Sequence, residues 1–139
     1  MTIKTRMLGG WNRYINPEAA LFDREKCGKW MIFCQGPDFA QQICRAAVAD
    51  GAVAESKWRS DMKSVACVFY VNGDDRAAHK RVIRFFLEHD LIPKTKNGRL
   101  YNISFKFDCQ TRANEYGEAF HPKITLADFL DLETGAWKD

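Results

Sequence analysis

The segment of the chain with the clearest strand pattern is 56–71, where a basic stretch leads through a polar break into an apolar run. Within that run Val65 and Cys67 fall on one side, and Val68 and Tyr70 fall on the other. A segment that is apolar on both sides and rich in β-branched and aromatic residues is typical of a strand buried on both faces. The pattern therefore predicts the central strand of a sheet.

Two amphipathic helices are predicted on either side of this strand. Pro37 at a first helical position and Gly51 after the last apolar repeat delimit a helix over 37–50. A second helix is predicted over 75–89, with His89 on its buried side. Because each apolar stripe is one-sided, each helix should cover one face of the sheet.

Three further segments have strand character, at 30–34, 52–59 and 100–108. A capping-box pattern at 125–128 predicts a short helix that continues to about Leu132. The resulting order is β-α-β-β-α-β with a short C-terminal helix. This order favours an α+β domain of two layers, with a mostly antiparallel sheet and the two main helices on one face.

The length of 139 residues is that of one domain with a single core. Residues 28–132 are predicted to form that core, and 133–139 a tail. Residues 1–27 show no sustained period and contain paired glycines, so they are predicted to be an irregular arm docked on the core. One turn of helix is predicted near 17–22.

The composition limits the kinds of partner that the chain is expected to bind. The 21 Lys and Arg against 18 Asp and Glu make the chain mildly basic, which fits a local anion site but falls short of a protein that coats nucleic acid. The five cysteines include no C-x-x-C pair, so reduced thiols are predicted rather than disulfides or a zinc site. Neither His79 nor His89 has a second ligand at metal-binding spacing, and no metal or cofactor is predicted.

The chain contains no apolar run of the roughly 18 residues that a membrane span needs, and its start lacks the apolar core of a signal peptide. We therefore expect a soluble cytoplasmic protein without a membrane partner.

Two groups of residues are candidates for ligand chemistry. Lys57, Trp58 and Arg59 place two cations beside a large aromatic surface, which suits a ligand bearing a phosphate or a base. The polar loop 109–122 is of the kind on which binding residues gather once a scaffold fixes its ends. Its candidate side chains are Arg112, Tyr116 and His121. Strand alternation sets a limit, because Lys57 and Trp58 point to opposite faces unless they lie at an edge or a bulge.

The strand Gly28-Lys29-Trp30-Met31, followed by an amphipathic helix, a lysine-bearing strand and the 65–69 strand, resembles the family of basophilic leukaemia expressed protein. Bacterial and phage members of that family are labelled as phosphothreonine lyase domains. The resemblance covers about residues 28–108. It implies a fold like that of the cap-binding translation initiation factor, with a curved antiparallel sheet, helices on the convex side and a ligand cleft on the concave side.

In such a cleft Lys57, Trp58, Lys106 and the 109–122 loop would lie near one opening. The initiation factor holds its base between two tryptophans, and the resemblance implies that Trp11 and Trp58 take that part.

The first functional hypothesis is a non-catalytic pocket for a nucleotide or another small phosphorylated ligand, as in a phage-type sequestering or counter-defence protein. Stacking on an aromatic ring contributes roughly 1–3 kcal/mol per base, and cations neutralise the phosphate. The predicted ligand-binding residues are Trp11, Trp58, Arg59, Arg112 and Tyr116.

The second hypothesis is a phosphothreonine lyase acting by β-elimination, which needs a base, an acid and a phosphate clamp. Lys57 or Lys106 would be the base and His121 the acid, with Arg59 and Arg112 as the clamp. The third hypothesis is an inhibitor module that contacts a host protein through exposed aromatic residues of its ends, a residue type enriched at interface hot spots. The candidates are Trp11, Tyr14 and Trp137.

Overall fold

The computed structural model describes residues 2–19, 25–60, 64–112 and 121–138, with the backbone alone at residues 111 and 112. These residues form a seven-stranded antiparallel sheet and three helices, so the predicted α+β class is confirmed. The strands are β1 (Lys4–Leu8), β2 (Trp11–Ile15), β3 (Cys27–Cys34), β4 (Glu55–Ser60), β5 (Val65–Asn72), β6 (Ser104–Phe107) and β7 (Ile124–Thr125). The helices are α1 (Pro37–Ala49), α2 (Arg76–Glu88) and the short α3 (Asp108–Arg112).

The sheet has the order β1-β2-β4-β5-β3-β6-β7, which places β5 in the middle as predicted. Phe69 and Val71 of β5 belong to the main core, while Val68 and Tyr70 pack in a second, smaller cluster on the opposite side. The strand is therefore buried on both faces, which is the reason for its unbroken apolar pattern.

Both long helices cover the same face of the sheet. Strands β3 and β4 both run antiparallel to β5, so they are parallel to each other and need a crossover connection, which α1 provides. Helix α2 makes the corresponding connection from β5 to β6. We call the side that these helices cover the helix face and the opposite side the second face.

No helix among the described residues is long and apolar enough to span a membrane.

The helix ends follow local sequence signals. Helix α1 begins at Pro37, and Gly51 just beyond it has a left-handed φ of 77°. Helix α2 is capped by Asp75, whose side chain accepts a hydrogen bond of 3.0 Å from the backbone N–H of Ala78. The two predicted helices thus agree with the structure to within one residue at each end.

The prediction of an irregular arm before residue 28 is wrong for its first part. Strands β1 and β2 form a hairpin whose turn is Gly9-Gly10, with φ values of 61° and 82°. Two positive φ angles are what a two-residue hairpin turn of type I′ requires, and glycine adopts them without strain. Strand β2 then pairs with β4 and extends the sheet. The predicted helical turn near 17–22 extends into residues that the structure does not describe.

Two other predicted elements differ in extent. The 100–108 strand is confined to Ser104–Phe107, since the chain enters α3 at Asp108, and its Phe105 is fully buried. The final helix is a single 3-10 turn, Leu126–Asp128, in which Asp128 accepts a 2.8 Å hydrogen bond from the backbone N–H at position 125.

The buried histidine of α2 is His79 and not His89, so the prediction for His89 is wrong. His89 is exposed at the end of the helix, where the centroid of its ring lies 4.2 Å from the ring centroid of Phe85. His79 accepts a 3.0 Å hydrogen bond from the indole N–H of Trp30 at Nδ1, and its Nε2 lies 2.9 Å from the carbonyl oxygen of Gly73. These partners fix a neutral imidazole with its proton on Nε2, and burial lowers the pKa of His79.

Candidate functional site

Ionisable side chains from six elements meet on the second face of the sheet. The register places Arg13 beside Lys57, Glu55 beside Tyr70, and Tyr70 beside Lys29. Because residues paired across neighbouring strands point to the same face, these side chains form one group. We call it the charged cluster, and its members are Arg13, Cys27, Lys29, Glu55, Lys57, Tyr70, Lys106 and Asp108.

Lys57 is the most enclosed cation of the cluster, with 9% of its surface exposed. Its Nζ lies 4.2 Å from the ring centroid of Trp11 and 5.3 Å from that of Tyr70. None of the carboxylates that the structure describes forms an ion pair with it. Burial, followed by the nearby positive charges of Arg13 and Lys29, lowers the pKa of Lys57 to about 8.

The two carboxylates of the cluster are paired with other cations. Arg13 Nη1 lies 2.5 Å from Glu55 Oε2, and Lys29 Nζ lies 3.8 Å from Asp108 Oδ1. The Nε of Arg13 is buried and has no hydrogen-bond partner among the described residues. A buried donor without a partner costs free energy, so it is a position that a ligand oxygen would stabilise.

Tyr70 and Cys27 contribute protonated groups. Burial raises the pKa of the Tyr70 hydroxyl to about 12. Burial and the neighbouring Asp108 carboxylate also raise the pKa of the Cys27 thiol to about 12. At neutral pH both side chains are therefore uncharged hydrogen-bond donors.

The balance of charge in the cluster is positive. Four cations stand against two carboxylates, which leaves a net charge of about +2 on groups that are mostly half-buried. The cations are Arg13, Lys29, Lys57 and Lys106, and the carboxylates are Glu55 and Asp108. In such surroundings water screens charge less well than at an open surface.

Several predicted site residues lie at or beside this cluster. Lys57 and Lys106 are members of it, and Trp11 covers Lys57. Arg59 is exposed, with its guanidinium carbon 5.9 Å from the Trp11 ring centroid. Trp58 points to the helix face, where its Nε1 donates a 3.1 Å hydrogen bond to the hydroxyl of Tyr14. A base held beside Lys57 would therefore contact Trp11 and not Trp58.

The residues predicted on the 109–122 loop are not brought to the cluster by any described contact. His121 is exposed, and its backbone carbonyl accepts a 3.1 Å hydrogen bond from the buried side chain of Gln110. Arg112 belongs to α3, but its side chain lies outside the described part of the chain, as does the whole of Tyr116. The roles of these three residues stay predictions.

Sequence reasoning missed the six other members of the cluster. Lys29 carried a signal, because it is a single charge inside the apolar run of β3. Tyr70 carried one too, because its hydroxyl is a polar group on the otherwise apolar side of the strand that also bears Ala66 and Val68. Arg13 carried none, since it lies in a segment interpreted as irregular and reaches the cluster only through pairing with β4.

A cavity of about 300 Å³ is lined by Tyr70 of the cluster and by residues of the helix-face core, among them Val71 and Ala78, and Lys57 is not one of its described lining residues. Within the described ranges, no group of three or more His, Cys, Asp and Glu side chains is arranged to bind a metal ion. The chemistry that the cluster offers is therefore that of cations, hydrogen-bond donors and an aromatic surface.

No protein-family model matches this chain, and no curated protein matches it. The resemblance to the family of basophilic leukaemia expressed protein stays a prediction. Any function has to be argued from the residues of the charged cluster.

Proposed function

We propose that the charged cluster binds a small ligand carrying a phosphate group, most simply a nucleotide, and holds it without turnover. The observation that supports this most directly is Lys57, a cation with 9% of its surface exposed and no described carboxylate paired to it. Burying a charge without a partner is costly unless a ligand supplies the partner. A phosphate monoester carries about −1.5 to −2 charges at neutral pH, which matches the net charge of the cluster.

The arrangement suggests how such a ligand would lie. The phosphate would contact Lys57 and Arg13, where the unpartnered Nε of Arg13 offers a further donor. The base would stack on the partly exposed ring of Trp11, an interaction worth roughly 1–3 kcal/mol. The ion pairs of Glu55 and Asp108 would hold the flanking cations in position without cancelling the excess positive charge.

A panel of nucleoside monophosphates and the matching nucleosides tests this proposal by thermal shift and calorimetry. We expect the monophosphates to raise the melting temperature and the nucleosides to have little effect, because the phosphate makes the main contacts. Lys57→Met and Trp11→Ala should each abolish the shift. Arg84→Met, on the exposed side of α2, is the matched control and should leave it unchanged. Equal shifts with nucleosides and nucleotides, or none with any of them, would contradict the proposal.

Binding should also depend on pH in a defined direction. Because the pKa of Lys57 is about 8, the lysine is charged below that pH and neutral above it. We expect affinity for a nucleoside monophosphate to fall as the pH rises through about 8 and beyond, since a bound anion itself raises the pKa of the lysine. Calorimetric titrations between neutral and alkaline pH would show this fall, and Lys57→Met should flatten it.

A phosphothreonine lyase is the second candidate, and the lowered pKa of Lys57 favours it specifically. A lysine with a pKa of about 8 is partly neutral near physiological pH and is suited to act as a general base. Lys57 Nζ would take the α-proton of phosphothreonine, the bond from Cβ to the ester oxygen would break, and phosphate would leave toward Arg13 and Lys29. The peptide would retain a dehydrobutyrine residue.

Mass spectrometry of a phosphothreonine peptide after incubation distinguishes the two functions. Loss of phosphate with a dehydrated residue, at a rate that increases as the pH rises through about 8, would establish the lyase. An intact peptide after long incubation excludes that activity for the substrate used. Recovery of bound nucleotide in unchanged form supports binding without turnover.

A further inference from the structure

The outer edge of the sheet at β1 is exposed and pairs with no other described strand. Strand β1 is the first in the sheet order, and all five of its residues are exposed. Met7 and Leu8 expose 76% and 68% of their surface. The strand contains no proline, the residue that most directly blocks pairing at an edge.

The hairpin geometry identifies which backbone groups face outward. Leu8 and Trp11 flank a two-residue turn and pair with each other, so their backbones exchange hydrogen bonds. By alternation along the strand, Lys4 and Arg6 also bond to β2. Thr5 and Met7 therefore direct their N–H and C=O groups to the free edge, where they can bond to an added strand.

The side chains around this edge are basic and apolar. Lys4 and Arg6 project to the second face together with Leu8, in register with β2. On the helix face a groove of about 350 Å³ lies between the hairpin and α1, and no carboxylate is among its described lining residues. The lining residues include Met7, Gln41 and Arg45. Among the described residues named here, the charged side chains are therefore basic on both faces, with Lys4 and Arg6 on the second face and Arg45 on the helix face.

We propose that β1 binds an acidic segment of a partner protein by antiparallel strand addition. Directly opposed residues of opposite charge stabilise a strand pair, and opposed apolar residues do the same. The matching segment reads, from its N-terminus, apolar, apolar, acidic, acidic, acidic. Its members face Leu8, Met7, Arg6, Thr5 and Lys4 in that order, and the residue facing Thr5 extends toward Arg45.

A second copy of this chain fits the edge less well. The antiparallel register that pairs all five residues of β1 with a copy of itself is centred on Arg6, so Arg6 faces Arg6 of the other copy. Like charges directly opposite each other destabilise a strand pair. The charge of the edge thus favours an acidic partner over self-association.

A fluorescently labelled peptide with blocked ends and the core Val-Ile-Glu-Glu-Glu is the probe, and fluorescence anisotropy is the measurement. We expect it to bind about tenfold more tightly than a peptide of the same composition with the core Glu-Ile-Glu-Val-Glu. N-methylation of the isoleucine, whose N–H would face β1 opposite Met7, should abolish binding. N-methylation of the first glutamate, whose N–H would point away opposite Arg6, should preserve it.

Variants of the full chain give the second arm of the test. Thr5→Pro removes an outward N–H without touching the bonds between β1 and β2, and we expect it to abolish binding, while Thr5→Val should retain it. Arg45→Glu should weaken binding about tenfold, and Arg84→Glu on α2 should leave it unchanged. Equal binding of the two peptides regardless of their residue order, or binding that survives Thr5→Pro, would overturn the proposal. Sedimentation showing self-association that Thr5→Pro removes, or an oligothymidylate bound in place of the peptide, would also overturn it.

Discussion

Lys57 carries a positive charge in buried surroundings that favour its neutral form. Its pKa of about 8, against an ordinary 10.5, corresponds to about 3 kcal/mol favouring the neutral form. The aromatic contact with Trp11 offsets part of that cost in the folded protein. A residue that lowers stability in this way is more readily explained by function than by packing.

Replacing this lysine should therefore stabilise the protein. Lys57→Met keeps the length of the side chain and its apolar contacts while removing the buried charge, and we expect unfolding in urea at neutral pH to require about 1–2 kcal/mol more. Above pH 8 the folded wild type releases the proton that the unfolded chain still binds up to about 10.5, so wild-type stability rises there and the difference should narrow. Lys96→Met, in an exposed loop, is the control. A destabilised Lys57→Met protein would contradict this interpretation.

The buried imidazole of His79 should make the free energy of unfolding depend on pH in the acidic range. Its ordinary pKa is 6.5, and burial lowers that value in the folded protein. As the pH falls below 6.5 the unfolded chain takes up a proton that the folded chain does not, so the free energy of unfolding should decrease. The stabilising contribution is complete above pH 6.5 and is lost on acidification.

Urea unfolding of the wild type across mildly acidic pH would measure this decrease. His79→Gln should be less stable at neutral pH, because the hydrogen bond from Trp30 is disturbed, and should lose part of the acid dependence. His89→Gln, which changes an exposed histidine of the same helix, should retain the full acid dependence. Identical pH profiles for the two variants would exclude His79 as the source.

At the scale of elements, the contact between β3 and β6 brings Lys106 to the cluster. A Cβ added at Gly28 would lie 2.6 Å from the backbone oxygen of Lys106 and would also collide with the ring of Phe105. The two strands approach this closely only because position 28 is glycine.

We expect Gly28→Ala to destabilise the protein by about 1–3 kcal/mol, because the extra methyl group must displace β6 or the buried ring of Phe105. The same shift would move Lys106 away from Lys29 and weaken ligand binding. Gly36→Ala is the matched control, since a Cβ there meets nothing within 4 Å. Comparable losses of stability in the two variants, measured by chemical denaturation, would rule out this contact as the cause.

Across the whole molecule, the protection of backbone amides against hydrogen exchange should decrease from the middle of the sheet to its edge at β1. Strands β3 and β5 are paired over eight residues and covered by helices, whereas β1 is exposed throughout. Hydrogen exchange monitored by mass spectrometry should therefore find the slowest amides in β3 and β5 and the fastest strand amides in β1. Equal protection of the β1 amides would show that this edge is covered in solution, contrary to its exposure in the structure.

The parts of the fold that local patterns encode were predicted well. The central strand was recognisable because both of its faces are buried, and both long helices because Pro37 and Asp75 mark where they begin. The hairpin of β1 and β2 was missed because β1 is an exposed edge strand, and its sequence lacks the alternation of apolar and polar residues that would predict a strand. Its one local signal was the pair of glycines in the turn.

The sequence by itself determined which residues alternate within each strand, and so that Lys57 and Trp58 face opposite ways. Only the tertiary structure decided which strands are neighbours, and hence that Arg13, Lys29 and Tyr70 meet Lys57 on the second face. Alternation is a property of consecutive residues, whereas strand order results from contacts between segments far apart in the chain. For the same reason, the burial that lowers the pKa of Lys57 could not be predicted from the residues around it in the sequence.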